Sequence, residues 1–174
     1  MNGGTLSNCI IRFNTTDSGY GGGIYVRTKS NIVNCLIHNN QGVFGGGAII
    51  WDSTYFINCT FANNIATTNG GGLYTADTAL VTNCIFWNNK RNSINSQLAA
   101  NSNTLTQVSY SAIQGGYEGL NNINIAETND GTSALNYIRF VDPNIYDFNL
   151  QANSCCVDVG NNNDQHIKTI DLNG

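Results

Sequence analysis

The sequence predicts an all-β fold, a right-handed parallel β-helix whose coils are about 24–26 residues long. Two repeated motifs indicate this solenoid. A Gly-Gly-Gly triplet begins at residues 21, 45 and 70, and an Asn-Cys pair begins at residues 8, 34, 58 and 83. A fixed period of this length is typical of solenoids, because one repeat is too small to bury its apolar face and must stack on the next.

The repeats divide the chain into two parts of what we expect to be one domain. Residues 1–90 contain the regular coils, and residues 91–174 are predicted to form irregular C-terminal coils and covering loops. Residues 6–11 already match the end of a repeat at residues 32–37, and no polar cap precedes them. We therefore expect a fragment of a longer chain, and end-to-end self-association through the exposed edge of its first coil.

Composition limits the classes of partner. Apolar residues make up 41% of the chain and charged residues only 10%, compared with about a quarter charged in an average protein. Seven basic residues stand against eleven acidic ones, so the basic patch that nucleic-acid binding requires is missing. No apolar run approaches the roughly 18 residues needed to cross a bilayer. We expect neither a nucleic-acid partner nor a transmembrane segment.

The strand after each glycine triplet should alternate between inward and outward side chains. The positions predicted to point into the core are Ile24, Ala48 and Leu73, followed by Val26, Ile50 and Thr75. The positions predicted to point outward are Tyr25, Ile49 and Tyr74, followed by Arg27, Trp51 and Ala76. The first set is the more apolar of the two, which favours it as the core.

Each Asn-Cys pair lies in a second apolar segment of the coil. Apolar residues lie three positions before each cysteine and two after it, a spacing that breaks strand alternation and requires a bend. Asparagine suits such a bend because it tolerates the left-handed conformation and bonds to nearby backbone. We predict bends and a stacked asparagine ladder at Asn8, Asn34, Asn58 and Asn83. A second polar column is predicted at Asn14, Asn40, Asn64 and Asn89.

The remaining segments of each coil are predicted to be turns. Segments such as 65–69 are polar and are expected to form loops that lead to the next glycine triplet. Each coil is thus expected to contain two or three short strands.

Four of the six cysteines occupy equivalent places in successive repeats: Cys9, Cys35, Cys59 and Cys84. We interpret them as a buried column of small apolar side chains, since free cysteine is among the most buried residue types. Strands about 4.8 Å apart would also permit a disulfide between two stacked members, and this alternative stays open. The pairing of Cys155 and Cys156 is likewise open. The spacings match no zinc motif.

Two families of secreted β-helix proteins share motifs with this chain. Gly-Gly-Ala-Ile at 46–49 and Phe-x-x-Asn at 61–64 and 86–89 resemble the repeats of polymorphic outer membrane proteins. The C-terminal half is similar to the choice-of-anchor Q family of bacterial parallel β-helices, at residues 110–117, 122–123, 140–143, 148–151, 153–154, 156–160 and 171–174. The resemblance implies an extracellular or outer-membrane-associated surface protein, and it implies no settled activity.

Asp52 and Asp77 are the candidates for catalysis, as they stand one coil apart. Two carboxylates about 5 Å apart would suit a retaining glycosidase, or half of a calcium site. Each also follows a strand at a bend, where aspartate commonly bonds to backbone, and we favour that structural role. Arg27, one coil earlier, would form an ordinary surface pair with them.

The other ionisable residues suggest no cofactor. Asp142, Asp147 and Asp158 are expected to shape turns, with calcium binding as the weaker alternative. His38 and His166 have no partner at a recognisable spacing, so we expect both on the surface.

The outward positions Tyr25, Trp51 and Tyr74, together with Ile49, predict an apolar strip on one face. In one account, the segment 91–174 folds back and covers it. In the other, the rings form a platform for sugars, which Trp87 and Tyr117 would extend. We expect a non-enzymatic secreted or cell-surface module for adhesion or glycan contact. A polysaccharide lyase or glycoside hydrolase is the alternative, and a structural spacer is a third.

Overall fold

A computed structural model describes residues 2–102, 104–125 and 137–163. The described chain forms a parallel β-solenoid of about 4 turns with a spacing of about 25 residues, which confirms the predicted fold class. The first coil contains β1 (Asn2–Ser7), β2 (Ile10–Arg12) and β3 (Ile24–Val26). The second contains β4 (Thr28–Val33), β5 (Leu36–His38), β6 (Gln41–Phe44) and β7 (Ala48–Ile50).

The later coils become less regular. The third contains β8 (Thr54–Ile57), β9 (Thr60–Ala62), β10 (Ile65–Asn69) and β11 (Leu73–Thr75). The fourth contains β12 (Ala79–Thr82), β13 (Ile85–Trp87), β14 (Lys90–Arg91), β15 (Ile94–Asn95) and β16 (Leu98–Ala100). The last described elements are β17 (Thr106–Ser109), β18 (Ala112–Gln114), β19 (Ile123–Ile125), β20 (Phe140–Asp142), a 3-10 turn (Pro143–Ile145) and β21 (Asp147–Leu150).

Equivalent strands of successive coils pair in register and give the solenoid four faces. Face A is β1-β4-β8-β12-β17, and face B is β2-β5-β9-β13-β18-β19. Face C is β6-β10-β14, extended by the antiparallel β15, and face D is β3-β7-β11-β16. The complete coils therefore contain four strands, where two or three were predicted. The segment 65–69, predicted as a loop, is strand β10 because stacking supplies its backbone with hydrogen-bond partners on both sides.

The interior is a set of apolar columns. Ile24, Ala48 and Leu73 are buried, as are Val26, Ile50 and Thr75, which confirms the predicted inward positions. Phe61 and Phe86 of face B stack in parallel with ring centroids 4.7 Å apart. Because each inward side chain packs on its equivalents in the coils above and below, no single coil has a core of its own.

The predicted bends at the Asn-Cys pairs are confirmed by backbone geometry. Asn8, Asn34, Asn58 and Asn83 have φ angles of 52° to 54°, in the left-handed region. A second left-handed bend follows the first four face B strands, at Phe13, Asn39, Asn63 and Asn88. The sequence does not predict this second bend, because its first residue is Phe13 where the other three are asparagines.

A hydrogen-bonded ladder of amides, buried from Asn40 onward, runs along the second polar column. Its members are Asn14, Asn40, Asn64, Asn89 and Gln97, and Gln97 reaches Gln114. The Asn64 carboxamide accepts from both the backbone N–H and Nδ2 of Asn40, at 3.0 Å each. Its own Nδ2 donates to the Ile37 carbonyl and to Asn89 Oδ1, both at 2.9 Å. The ladder thus satisfies the backbone of the turn between faces B and C.

The cysteine column is buried and unpaired by disulfides. Cys35, Cys59 and Cys84 are buried free thiols. Each Sγ lies within hydrogen-bond distance of two carbonyl oxygens, and for Cys59 these are Ile57 at 3.3 Å and Ile32 at 3.4 Å. The column continues through Ser111, whose Oγ accepts the Cys84 backbone N–H at 3.1 Å. Small hydrogen-bonding side chains therefore fill this column whether or not they are cysteine.

The C-terminal hairpin β20–β21 covers the outside of face B. Ile138, Phe140 and Phe148 pack there in an apolar cluster with Ala62, Ala112 and Ile125. His38 lies beneath this hairpin and is only 1% exposed, so its predicted surface position is wrong. Its ring lies 5.1 Å from Phe148 and 5.6 Å from Tyr146. His166 lies outside the described residues.

Burial of His38 predicts a pH dependence of stability. Desolvation lowers the pKa of His38, opposed by its 2.8 Å bond to Asn39 and assisted by the nearby Arg12. Between the lowered pKa and the ordinary value of about 6.5, the unfolded chain binds a proton that the folded chain excludes. We therefore expect the free energy of unfolding to fall on acidification from about pH 7.5 to about pH 5.5 and to level off below the folded pKa.

Urea unfolding across this range measures the effect. The His38→Gln variant should lose the slope, whereas His166→Gln, which removes the other histidine, should keep it. An unchanged slope in His38→Gln would contradict this account of the hairpin contact.

Candidate functional site

Five aromatic side chains form a cluster on the outside of the first three coils, at the join of faces C and D. We call this cluster the aromatic patch, and its members are Tyr20, Tyr25, Phe44, Trp51 and Tyr74. Tyr20 meets Trp51 edge to face, with centroids 5.4 Å apart and ring planes at 82°. Phe44 links Tyr20 to Tyr74, at centroid distances of 6.0 Å and 5.2 Å.

The glycine turn explains how two sheets contribute to one patch. Tyr20 and Phe44 stand immediately before the glycine triplets and pair with each other as a parallel bridge. The chain then reverses through Gly21 and Gly45, whose φ angles of 70° and 60° lie in the left-handed region. Tyr25 and Tyr74 follow on face D, in register through Ile49. Residues on both sides of the turn are thereby brought to one surface.

The structure partly changes the predicted strip. Tyr20 is 47% exposed and Trp51 45%, while Tyr25, Phe44 and Tyr74 are half-buried. Ile49, predicted to face outward, is 0% exposed. Gly21 passes over it, so closely that a Cβ there would lie 2.8 Å from Ile49 Cγ2. Ile49 thus supports the patch from beneath and is not part of its surface.

The sequence analysis missed Tyr20 and Phe44. Both precede a glycine triplet, and Asn69 occupies the same place in the third coil. The recurrence of this position before each glycine triplet is the sequence feature that could have predicted them. It does not show which way the side chains point, because only the strand after the glycines shows strand alternation.

Residues 137–163 do not cover the patch, and residues 126–136 and 164–174 of the segment 91–174 lie outside the described residues. In the described chain, residues 137–163 pack on face B, against residues such as Ala112 and Ile125. Trp87 is on face B too, with its ring 6.5 Å from Phe140, and so cannot extend the patch. Tyr117 packs against the main core near the last described coil, where burial raises its pKa. It lines a cleft of about 870 Å³ with Leu80, Val108 and Leu120.

Asp52 and Asp77 are stacked in adjacent coils, between strand pairs β7–β11 and β8–β12. Each carboxylate is used locally: Asp52 Oδ1 accepts the Ser53 N–H at 2.6 Å, and Asp77 Oδ1 accepts that of Thr78. This is the aspartate bend that was favoured over catalysis. Neither residue lines the cleft beside Tyr117, where Glu118 is the one carboxylate among the described lining residues.

The acids of the C-terminal segment also bond to backbone. Asp142 Oδ1 accepts the Asn144 N–H at 3.0 Å and begins the 3-10 turn. Asp147 Oδ1 accepts the Asn149 N–H at 3.0 Å, and Asp158 has a φ of 57°. Within residues 2–102, 104–125 and 137–163, no group of three or more His, Cys, Asp or Glu could hold a metal ion.

A search of the described residues for a helix of sufficient length and apolarity to span a membrane finds none. Comparison of the chain with protein-family models, with curated proteins and with solved structures gives no match. The resemblance to choice-of-anchor Q proteins and to polymorphic outer membrane protein repeats therefore rests on the motifs in the sequence.

Proposed function

We propose that this protein is a non-enzymatic, extracellular or cell-surface module that contacts glycans through the aromatic patch. The observation that carries the proposal is the clustering of five rings from three coils, two of them roughly half exposed. Exposed aromatic groups of this extent are uncommon on a surface without a partner. The sugar ring presents an apolar C–H face with polar edges, and a half-exposed aromatic ring is complementary to it.

The arrangement of the rings suits a saccharide better than a flat apolar partner. Tyr20 and Trp51 stand nearly perpendicular, so their ring faces point in different directions. A sugar stacked on Trp51 would meet the edge of Tyr20. Polar groups border the patch, among them Asn69, whose Oδ1 accepts from Arg91 at 3.2 Å. Apolar platforms with a few polar groups at the rim are typical of small-molecule and glycan sites.

The weak charge of the chain favours an uncharged glycan. Its formal net charge is −4, and only 10% of its residues are charged. Long-range attraction would therefore contribute little, and recognition would depend on short-range contact with the rings.

The experiment is a glycan array and a polysaccharide depolymerisation screen on the same protein. The Tyr25→Ala/Trp51→Ala/Tyr74→Ala variant removes three of the five rings of the patch, and Tyr55→Ala removes a tyrosine from face A as the matched control. We expect binding without cleavage, reduced at least tenfold in the triple variant and kept in the control. The single variant Trp51→Ala guards against misfolding, because its exposed ring contributes little to the core.

Other outcomes would decide against the proposal. Cleavage that survives in the triple variant but is lost in Asp52→Asn would favour the polysaccharide lyase or glycoside hydrolase. Absence of both glycan binding and polysaccharide cleavage would favour the structural spacer.

A further inference from the structure

Three of the six thiols are buried, and the other three, Cys9, Cys155 and Cys156, are half-buried. The column cysteines donate hydrogen bonds to carbonyls, and Cys35, Cys59 and Cys84 are closed off from solvent. Hydrogen bonding with Cys59, together with burial, raises the pKa of Cys35, and burial raises that of Cys59. Thiols of this kind are inert, because the thiolate is the reactive form.

Cys155 and Cys156 differ from that column. They are consecutive, both are half-buried, and their Sγ atoms lie 3.7 Å apart. The pair lies in a turn in which the Cys155 N–H donates to the Tyr137 carbonyl at 3.1 Å. Cys156 lines a cleft of about 220 Å³ between the solenoid and the C-terminal segment, with Leu150 and Asn83 among its neighbours. The two sulfurs are thus close together, and both residues are partly exposed to solvent.

We propose that Cys155 and Cys156 form a vicinal dithiol that small disulfides convert reversibly to a disulfide. The Cys155 thiolate attacks one sulfur of a disulfide R–S–S–R, forming a mixed disulfide and releasing RS⁻. Cys156 gives its proton to solvent and attacks Cys155 Sγ, releasing the second RS⁻. The two cysteines lose two electrons and two protons, and the small disulfide gains them as two thiols.

The order of attack follows from the surroundings of the two sulfurs. Burial, and the neighbouring Cys155, raise the pKa of Cys156 to about 12, so this thiol is the slower nucleophile. It is nevertheless beside the mixed disulfide once that forms on Cys155, and proximity compensates for its low thiolate fraction.

Adjacency in sequence makes the oxidised state labile. Consecutive Cα atoms lie about 3.8 Å apart across a trans peptide, below the usual span of a disulfide of about 4.4–6.8 Å. A disulfide closed over this distance is strained, and strained disulfides are the easily reduced ones. The structure therefore points to a reversible modification, distinct from a permanent crosslink.

Mass spectrometry of the full chain after treatment with oxidised glutathione tests the proposal. We expect loss of two hydrogen atoms, mapped to the peptide that contains Cys155 and Cys156, with the buried thiols Cys35, Cys59 and Cys84 unmodified and the change reversed by dithiothreitol. In the Cys156→Ser variant the reaction should stop at a glutathione adduct on Cys155. In the wild type, Cys156 attacks this adduct and releases glutathione.

A stable adduct on the wild-type pair, or oxidation confined to the column cysteines, would overturn the proposal. The proposal would also be overturned if the pair stayed unmodified under conditions in which free glutathione exchanges fully with a disulfide. Circular dichroism of Cys156→Ser checks that the variant is folded, so that a failed reaction is not mistaken for unfolding.

Discussion

Replacing Asn64 by alanine is expected to lower the free energy of unfolding by about 4 kcal/mol. The side chain is 0% exposed and makes four hydrogen bonds within the amide ladder. Alanine would leave the backbone N–H of Asn40 and the carbonyl of Ile37 without these partners. Each buried polar group left unsatisfied costs about 1–3 kcal/mol, and several are lost at once.

Asn14→Ala is the matched control, because Asn14 occupies the same column in the first coil but is exposed. It donates to Asn40 at 3.0 Å, and water can replace that bond. Urea unfolding of the two variants should differ by about 3 kcal/mol or more. Equal losses would show that the ladder does not depend on burial and would contradict this assignment.

Replacing Gly46 by alanine is expected to destabilise the fold by at least about 3 kcal/mol, the upper end for overpacking. A Cβ at Gly46 would overlap the carbonyl oxygens of Ile65 and Gly71. The Gly71 carbonyl cannot retreat freely, since it accepts the Gly47 N–H at 3.0 Å, and the adjacent Gly46 N–H donates to the Gly70 carbonyl at 3.1 Å. The substitution must therefore separate two coils.

Gly4→Ala provides the comparison for Gly46. A Cβ at Gly4 meets no atom within 4 Å, so only its φ of 103° opposes the substitution. Thermal or urea unfolding should show a loss of about 1 kcal/mol there. A mild effect of Gly46→Ala, similar to that of Gly4→Ala, would mean that the coils are not held as closely as the structure shows.

The solenoid could be predicted because its determinants are local and repeat. The glycine triplets mark close approaches between coils, and the Asn-Cys pairs mark left-handed bends, as at Asn34 and Asn58. The face C strands could not be predicted in the same way. In β10, Ala66 is the one fully buried side chain, so apolar alternation is missing and the strand depends on backbone pairing with its neighbours.

The contacts of the C-terminal hairpin could not be predicted from the sequence, for a different reason. The rings of His38 and Phe148 are in contact although more than a hundred residues separate them in the sequence, and no periodicity relates the two positions. The patch was predicted in part, since Tyr25, Trp51 and Tyr74 share one strand parity. Tyr20 and Phe44 belong to another sheet, and only the geometry of the glycine turn joins them to the rest.

Fluorescence of Trp51 is the most direct test of glycan contact at the aromatic patch. The chain has two tryptophans, so Trp87→Phe leaves Trp51 as the single reporter, and Trp51→Phe leaves Trp87 on face B as the control. Titration with soluble uncharged oligosaccharides should give a saturable change in emission in the first variant and none in the second. No change in either variant across the oligosaccharides tested, or an equal change in both, would contradict the proposed role of the patch.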